Sequence, residues 1–479
     1  MKKRNMLVLV GLLLAVTCAA LGWTSNYRPI PPAPNPNPNA DLRPPLHAKN
    51  GVVSLSGRLT NNKVLTGGPG LVTLALTLTA DQVIETNPTV TPNVDLVIVL
   101  DRSGSMEGQK ITYAKRAVLD LIDNLSAADR LAIVSYSSDV RRHSFLLPAD
   151  ATNKSLLRST VGEIRAGGST NLGGGLQEGL NILTASPRNG RLGKIILISD
   201  GLANQGVTDP GALGRMAALA IAKEFSVSTV GVGSDFNEQL MSHLADRGQG
   251  NYYYLDNPSA FAEVFQKEFS QAKAAAATAL EIRVPLANGV TLVNASGYPV
   301  ELKSGEAVFY PGDLRSGASR QLHLTFNVPT GSEGTIEIKG LSLSYLHQDR
   351  KYTVALNDAF SVACVPDRRE VLASYDKDAW GAKVVNEDYN KLREEVALDI
   401  KNGRKDEALK KIEFYRVEQQ AINDVVGSGQ VSNNLERGLD DLRQSVTDSF
   451  SGSPEEAAAK QKSISKEVQH KGYSIRRAK

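Results

Sequence analysis

From Val94 onward the chain alternates apolar runs with amphipathic segments, and this alternation constrains the fold more than any other feature. VDLVIVL, LAIVSYS, KIILIS and VSTVGVG are near-continuous apolar runs of strand length, the pattern of strands covered on both faces. Between them Ile111 to Leu125 places Ala114, Ala117, Val118, Leu121, Ile122 and Leu125 on one helical stripe. Lys154 to Ile164, Leu172 to Leu183, Pro210 to Phe225, Glu238 to Ala245 and Ser259 to Ala277 also read as helices, with YYYL as a further strand. Such alternation makes a mostly parallel, doubly wound, Rossmann-like sheet, with ligands expected at the carboxyl ends of its strands.

At 479 residues the chain exceeds what one core accommodates. The predicted class is multidomain, α/β + β + α. Alternating apolar residues mark strands from Gly51 to Thr79 and again in ALEIRV, GVTLVNAS, EAVFY, RQLHLTFNV, GTIEIKGLSLSYL and KYTVALNDAFSVACV. The first set can complete the second, so the α/β domain is expected as an insertion in one β-sandwich; two separate β modules are the alternative. From Asp367 the chain reads as helical and charged. Val431, Leu435, Leu439, Leu442, Val446 and Phe450 share a helix face, and Ser453-Pro454 opens another helix. The basic residues at the end, Lys466, Lys471, Arg476, Arg477 and Lys479, are expected on a frayed, solvated tail. The expected divisions are 1–23, 24–50 (linker), 51–92 and 273–365 (the two parts of the sandwich), 93–272 (the α/β domain) and 366–479 (the helical region).

Residues 1–23 have the layout of an export signal: Met1-Lys2-Lys3-Arg4, then an uncharged run from Met6 to Trp23. Cleavage near Ala19–Gly22, retention as an anchor, and lipid attachment at Cys18 are the three endings open to it. The expected location is therefore exported: periplasmic, cell-surface or membrane-anchored, with the globular part outside the cytoplasm. The proline- and asparagine-rich stretch that follows is expected to be an extended spacer. Lys+Arg 54 against Asp+Glu 51 argues against a nucleic-acid binder. With Cys18 and Cys364 as the two cysteines, neither a disulfide framework nor a cysteine-rich zinc site can be built.

The chemistry gathers where VDLVIVL ends in Asp101-Arg102-Ser103-Gly104-Ser105-Met106. A Gly-Gly-Ser-Thr stretch carrying Thr170 precedes the Leu172 helix, and KIILIS ends in Asp200. A doubly wound sheet would collect Asp101, Ser103, Ser105, Thr170 and Asp200 on one edge. All five offer oxygen, which selects a hard cation. Mg2+ suits small hydroxyls that approach without adding charge, and Mn2+ and Ca2+ are the alternatives. With the aspartates acting largely through water, one coordination position stays open for a carboxylate from a partner.

These residues resemble the von Willebrand factor A (VWA) domain and its metal-ion-dependent adhesion site, Asp-x-Ser-x-Ser, then Thr, then Asp. The likeness covers about residues 93–272, including TVGVGSDFNEQLMSHLADRGQGNYYYLDN, and fills all five ligand positions. It implies that Ser103 and Ser105 contact the ion directly, that Thr170 moves with ligand state, and that the aspartates hold the ion's waters. The wider chain is similar to bacterial secreted A-domain proteins, and REEVALDIKNGRKDEALKKI resembles half of a tetratricopeptide array.

The function expected is cell-envelope binding, adhesion or assembly, with a protein partner supplying the carboxylate and with no catalysis. A metal-dependent hydrolase and a stalk with a vestigial site are the alternatives. No Gly-x-Ser-x-Gly elbow, phosphate-binding Gly-Lys-Ser/Thr loop or His-Glu-x-x-His helix is present, and Glu107, the nearest carboxylate on the loop, reads as a solvated surface residue.

Overall fold

The computed structural model describes residues 44–477 apart from 83–92, 188–190, 201–202, 224, 234–235, 256–273 and 349. The export segment, Cys18, most of the linker and Lys479 lie outside the described residues.

Five parallel strands form the centre of the α/β domain, in the order Gln249–Leu255, Phe225–Val232, Leu192–Ser199, Val94–Asp101 and Arg130–Tyr136. Two short antiparallel strands, Val140–Arg142 and Leu147–Pro148, pair with Arg130–Tyr136. Val94–Asp101 is buried throughout, and its side chains divide by parity. Leu96, Ile98 and Leu100 pack under helices Gln109–Asn124 and Ala151–Glu163. Val97 and Val99 pack under Leu172–Thr184, Pro210–Ala222 and Glu238–Arg247. This two-sided burial explains the unbroken apolar runs. The chain leaves Val94–Asp101 to one side and later returns to pair on the other, so the crevice at the topological switch opens between the ends of Val94–Asp101 and Leu192–Ser199.

Strands from both sides of the α/β domain share one sheet. Its order is Leu46–Asn50, Val53–Leu59, Leu71–Ala80, Ser319–Asn327 and Thr291–Ala295, and Leu71–Ala80 runs antiparallel to Ser319–Asn327 along its length. A second sheet is built around Ala275–Pro285, Ser342–His347 and Arg350–Ala355. A smaller sheet joins Lys63–Leu65 to Phe360–Val365 and Gly334–Ile338. One core runs through all three, with Leu55, Leu74, Leu76, Ile282, Phe326, Leu343 and Val362 among its members.

Three local expectations change. Leu46–Asn50, expected within the linker, is a strand paired with Val53–Leu59. The helix expected to run to Ala277 cannot reach it, because Ala275–Pro285 is a strand; the rest of that expected helix lies outside the described residues. The alanines favour helix intrinsically, but Ala276 and Ala277 are buried against the sheet core, and packing overrides propensity. Ala279 sits at positive φ where the register with Ser342–His347 shifts, a β-bulge.

The third change concerns the basic end. The helical region includes Tyr389–Lys401, Lys405–Val426 and Leu439–Ser449 around a core containing Val396, Ile412, Leu435, Leu442 and Val446. Its long helix Pro454–Arg476 opens on a Ser453/Glu456 capping box and ends docked rather than frayed. Lys466, Arg476 and Arg477 are buried because acidic partners await them. Lys466 pairs with Glu238, Arg477 with Asp246, and Arg476 with Glu387 and Glu394. Tyr473 enters the α/β core itself. Among the described residues no helix is long and apolar enough to cross a membrane.

Candidate metal centre

Asp101 is the last residue of the central strand and is fully buried. Its Oδ1 accepts the Ser103 backbone N–H at 2.8 Å and its Oδ2 the Ser199 hydroxyl at 2.9 Å, which fixes the orientation of the carboxyl group. Gly104–Met106 then forms a single tight helical turn, with Met106 driven into the core below. This turn brings the two serines together: the Ser103 and Ser105 Oγ atoms lie 3.0 Å apart. Ser105 donates to Asp200 Oδ1 at 2.8 Å. Asp200, fully buried, follows the adjacent strand Leu192–Ser199, so the switch-point crevice holds both carboxylates.

Thr170 enters through its loop rather than by a side-chain contact with the other four. Gly104 N–H donates to Gly168 O at 3.0 Å and Gly167 N–H to Arg102 O at 2.8 Å, tying the two loops together. Asn204 Oδ1 accepts the Thr170 N–H at 2.8 Å, while Asn204 and Gln205 donate to Thr170 O. Gly167 and Gly168 both adopt positive φ, which permits this close passage.

Burial pushes the Asp101 carboxyl up to about 6, against the hydrogen bonds from Ser103 and Ser199 and with a smaller upward push from Asp200. A cation beside it would reverse that bias. The two carboxylates and three hydroxyls fit a hard divalent ion: the donors are all oxygen, and each hydroxyl keeps a lone pair to offer. Among the described residues no group of three or more His, Cys, Asp or Glu side chains could hold a metal; an ion here would draw on the two aspartates together with serine and threonine oxygens.

Sequence reasoning missed the supporting shell. Ser199 orients Asp101 from the strand end. Lys110, in the first turn of Gln109–Asn124, places Nζ 2.5 Å from Asp200 Oδ2. Arg102 turns away from the crevice, donating from Nε to Ser135 Oγ at 3.1 Å and pairing with Asp139. Arg141 and Arg102 hold the Asp139 carboxyl well below its usual range. Glu107 is exposed.

With this geometry in view, residues 95–267 match the family model for the von Willebrand factor type A domain. The chain contains a VWA domain. The A domain is 33% identical over 183 residues to the uncharacterized protein YfbK of Escherichia coli, covering 38% of this chain and 31% of that protein. It is 32% identical over 176 residues to inter-alpha-trypsin inhibitor heavy chain H1 of Sus scrofa, covering 35% and 20%. The chain thus spans a third or less of the length of these two relatives. The solved structure of a von Willebrand factor type A protein from Catenulispora acidiphila superposes with a TM-score of 0.65 at 19% identity, over 89% of this chain and 98% of that one. The ArnB paralog VWA2 from Sulfolobus acidocaldarius superposes at 0.51 and 18% identity, over 87% and 98%. At these identities the likeness concerns the fold: A domain, additional sheets and C-terminal helices together.

Proposed function

We propose that the A domain holds a divalent cation, Mg2+ by preference, through Ser103, Ser105 and Thr170, with Asp101 and Asp200 acting largely through water. Its task is to bind an acidic side chain of a protein partner, in adhesion or in assembly at the cell envelope. The observation that carries this reading is the Ser103–Ser105–Asp200 chain of oxygen contacts beside buried Asp101, at the switch point of the sheet. When bound, the ion supplies a positive docking point with an open coordination position. Asp101, held by Ser103 and Ser199, keeps a fixed orientation, and neutral hydroxyls leave the cation's charge undamped.

The exported location belongs to the same proposal and rests on the basic cap and apolar run of residues 1–23. The Ser135 Oγ–His143 Nε2 contact at 2.7 Å is not arranged as a nucleophile and base. Ser135 is fully buried and already receives Arg102 Nε–H, so its oxygen is closed to a substrate.

The test is calorimetric titration of the purified chain with Mg2+ and Mn2+, together with capture of envelope proteins with and without chelator. Wild type is expected to bind the ion and to capture a partner only when it is present. Asp101→Ala should lose both while remaining folded. Capture that persists unchanged in chelator would overturn the proposal.

A further inference from the structure

We propose that Lys110 is a built-in counter-cation: it occupies Asp200 when no divalent ion is held, must be displaced when one enters, and so sets the metal affinity of the site. The inference rests on the metal reading given above and specifies how that site is regulated.

Both Asp200 oxygens are engaged from within the chain. Oδ1 receives the Ser105 hydroxyl at 2.8 Å, and Oδ2 lies 2.5 Å from Lys110 Nζ. The carboxylate is completely buried, whereas the lysine side chain is 28% exposed, so the ammonium reaches in from the rim along a flexible stem. A buried carboxylate without a counter-charge is costly, and this lysine supplies that charge from inside the fold.

The lysine is also seated. Gly233, in the loop after Phe225–Val232, has φ +74, and a Cβ there would lie 3.3 Å from Lys110 Cε and 3.6 Å from Nζ. The Gly233 N–H is anchored to Leu255 O at 2.9 Å. Gly233 thus borders the lysine arm at close contact distance.

A divalent ion held by Ser103 and Ser105 draws on the same carboxylate. Ser105 can meet the ion through a lone pair while its proton stays on Asp200 Oδ1, but the ammonium at Oδ2 then faces the ion across one buried carboxylate, and like-charge repulsion drives it outward. Two carboxylates against one ammonium leave the pocket one negative charge. Adding a divalent ion converts this to one positive charge, with the displaced ammonium kept at the rim, on the side from which a partner carboxylate arrives. Lys110 thus weakens ion binding while reinforcing the site's preference for an anionic partner.

The experiment titrates the full chain with Mg2+ and Mn2+ as wild type, Lys110→Met, Lys110→Gln and Asp200→Asn. Melting in chelator is followed in parallel and also reports whether each variant folds. Lys110→Met and Lys110→Gln should bind the ion tenfold or more tightly than wild type and melt lower without it, while Asp200→Asn should bind it more weakly. Wild-type binding with equal or weaker binding in both lysine variants would overturn the role of Lys110 and leave the metal reading standing. Absence of binding at millimolar ion in wild type and both lysine variants would overturn the metal reading and this inference with it.

Discussion

Replacing Arg477 by alanine should loosen the A domain at its far edge, although Arg477 caps the last helix of the helical region in sequence. Asp246, at the end of helix Glu238–Arg247, is 6% exposed, as is Arg477. The guanidinium grips it with Nε 2.9 Å from both carboxylate oxygens and Nη2 2.7 Å from Oδ2. It also donates to Gly297 O at 2.7 Å and lies 4.1 Å from the Tyr473 ring centroid. Removing one member of a buried, hydrogen-bonded pair costs about 3–5 kcal/mol. Tyr473 still donates to Asp246 Oδ1 at 2.7 Å, which places the expected loss near the lower end, about 3 kcal/mol. The loss should be local, so hydrogen exchange is the suitable assay. Amides of Glu238–Arg247 and Gln249–Leu255 should exchange roughly a hundredfold faster in Arg477→Ala, with the β-layer core unchanged. The double variant Asp246→Asn/Arg477→Gln should recover about 2 kcal/mol of the loss, because no unpaired charge is then buried. Protection unchanged within threefold in the single variant would refute the reasoning.

Two further outcomes follow from buried groups. His323 is almost wholly buried, and burial pushes its imidazole down to about 4, with Asp388 opposing. It therefore stays neutral in the fold while the unfolded chain protonates near 6.5. The stability tied to this difference is present above about pH 6.5 and is lost as pH falls through about 4, reaching about 3 kcal/mol between pH 7 and pH 4. Denaturation of His323→Gln against wild type across that range should show a correspondingly shallower acid loss, and parallel curves would contradict the assignment. Gly175→Ala should destabilise the A domain, because a Cβ there would lie 2.5 Å from Tyr136 Cδ1 and 3.1 Å from Val99 Cγ1. Overpacking outweighs the gain in helix propensity, leaving a net cost of about 1–2 kcal/mol in urea unfolding.

The α/β sheet was legible in the sequence because double-sided burial writes an unbroken apolar run such as Val94–Asp101. The candidate site residues could be named because the loop Asp101–Ser105 carries three of them within one turn. What sequence reasoning missed depends on distant partners. A lysine in the first turn of a helix is compositionally ordinary, and its contact with Asp200 exists only once two strands are adjacent. Arg476 and Arg477 have the composition of a solvated end until Glu387, Glu394 and Asp246 are folded around them. Leu46–Asn50 carries little apolar signal because it is a largely exposed edge strand, and the alanines near Ala277 favour helix until the sheet claims them.

Tyr473 belongs to the A-domain core and yet lies in the last helix of the chain's helical region. A ribosome delivers residues in order, so the A domain cannot finish assembling when its own strands emerge. The contacts of Tyr473 and Arg477 form only after the segment through Arg477 has been synthesised.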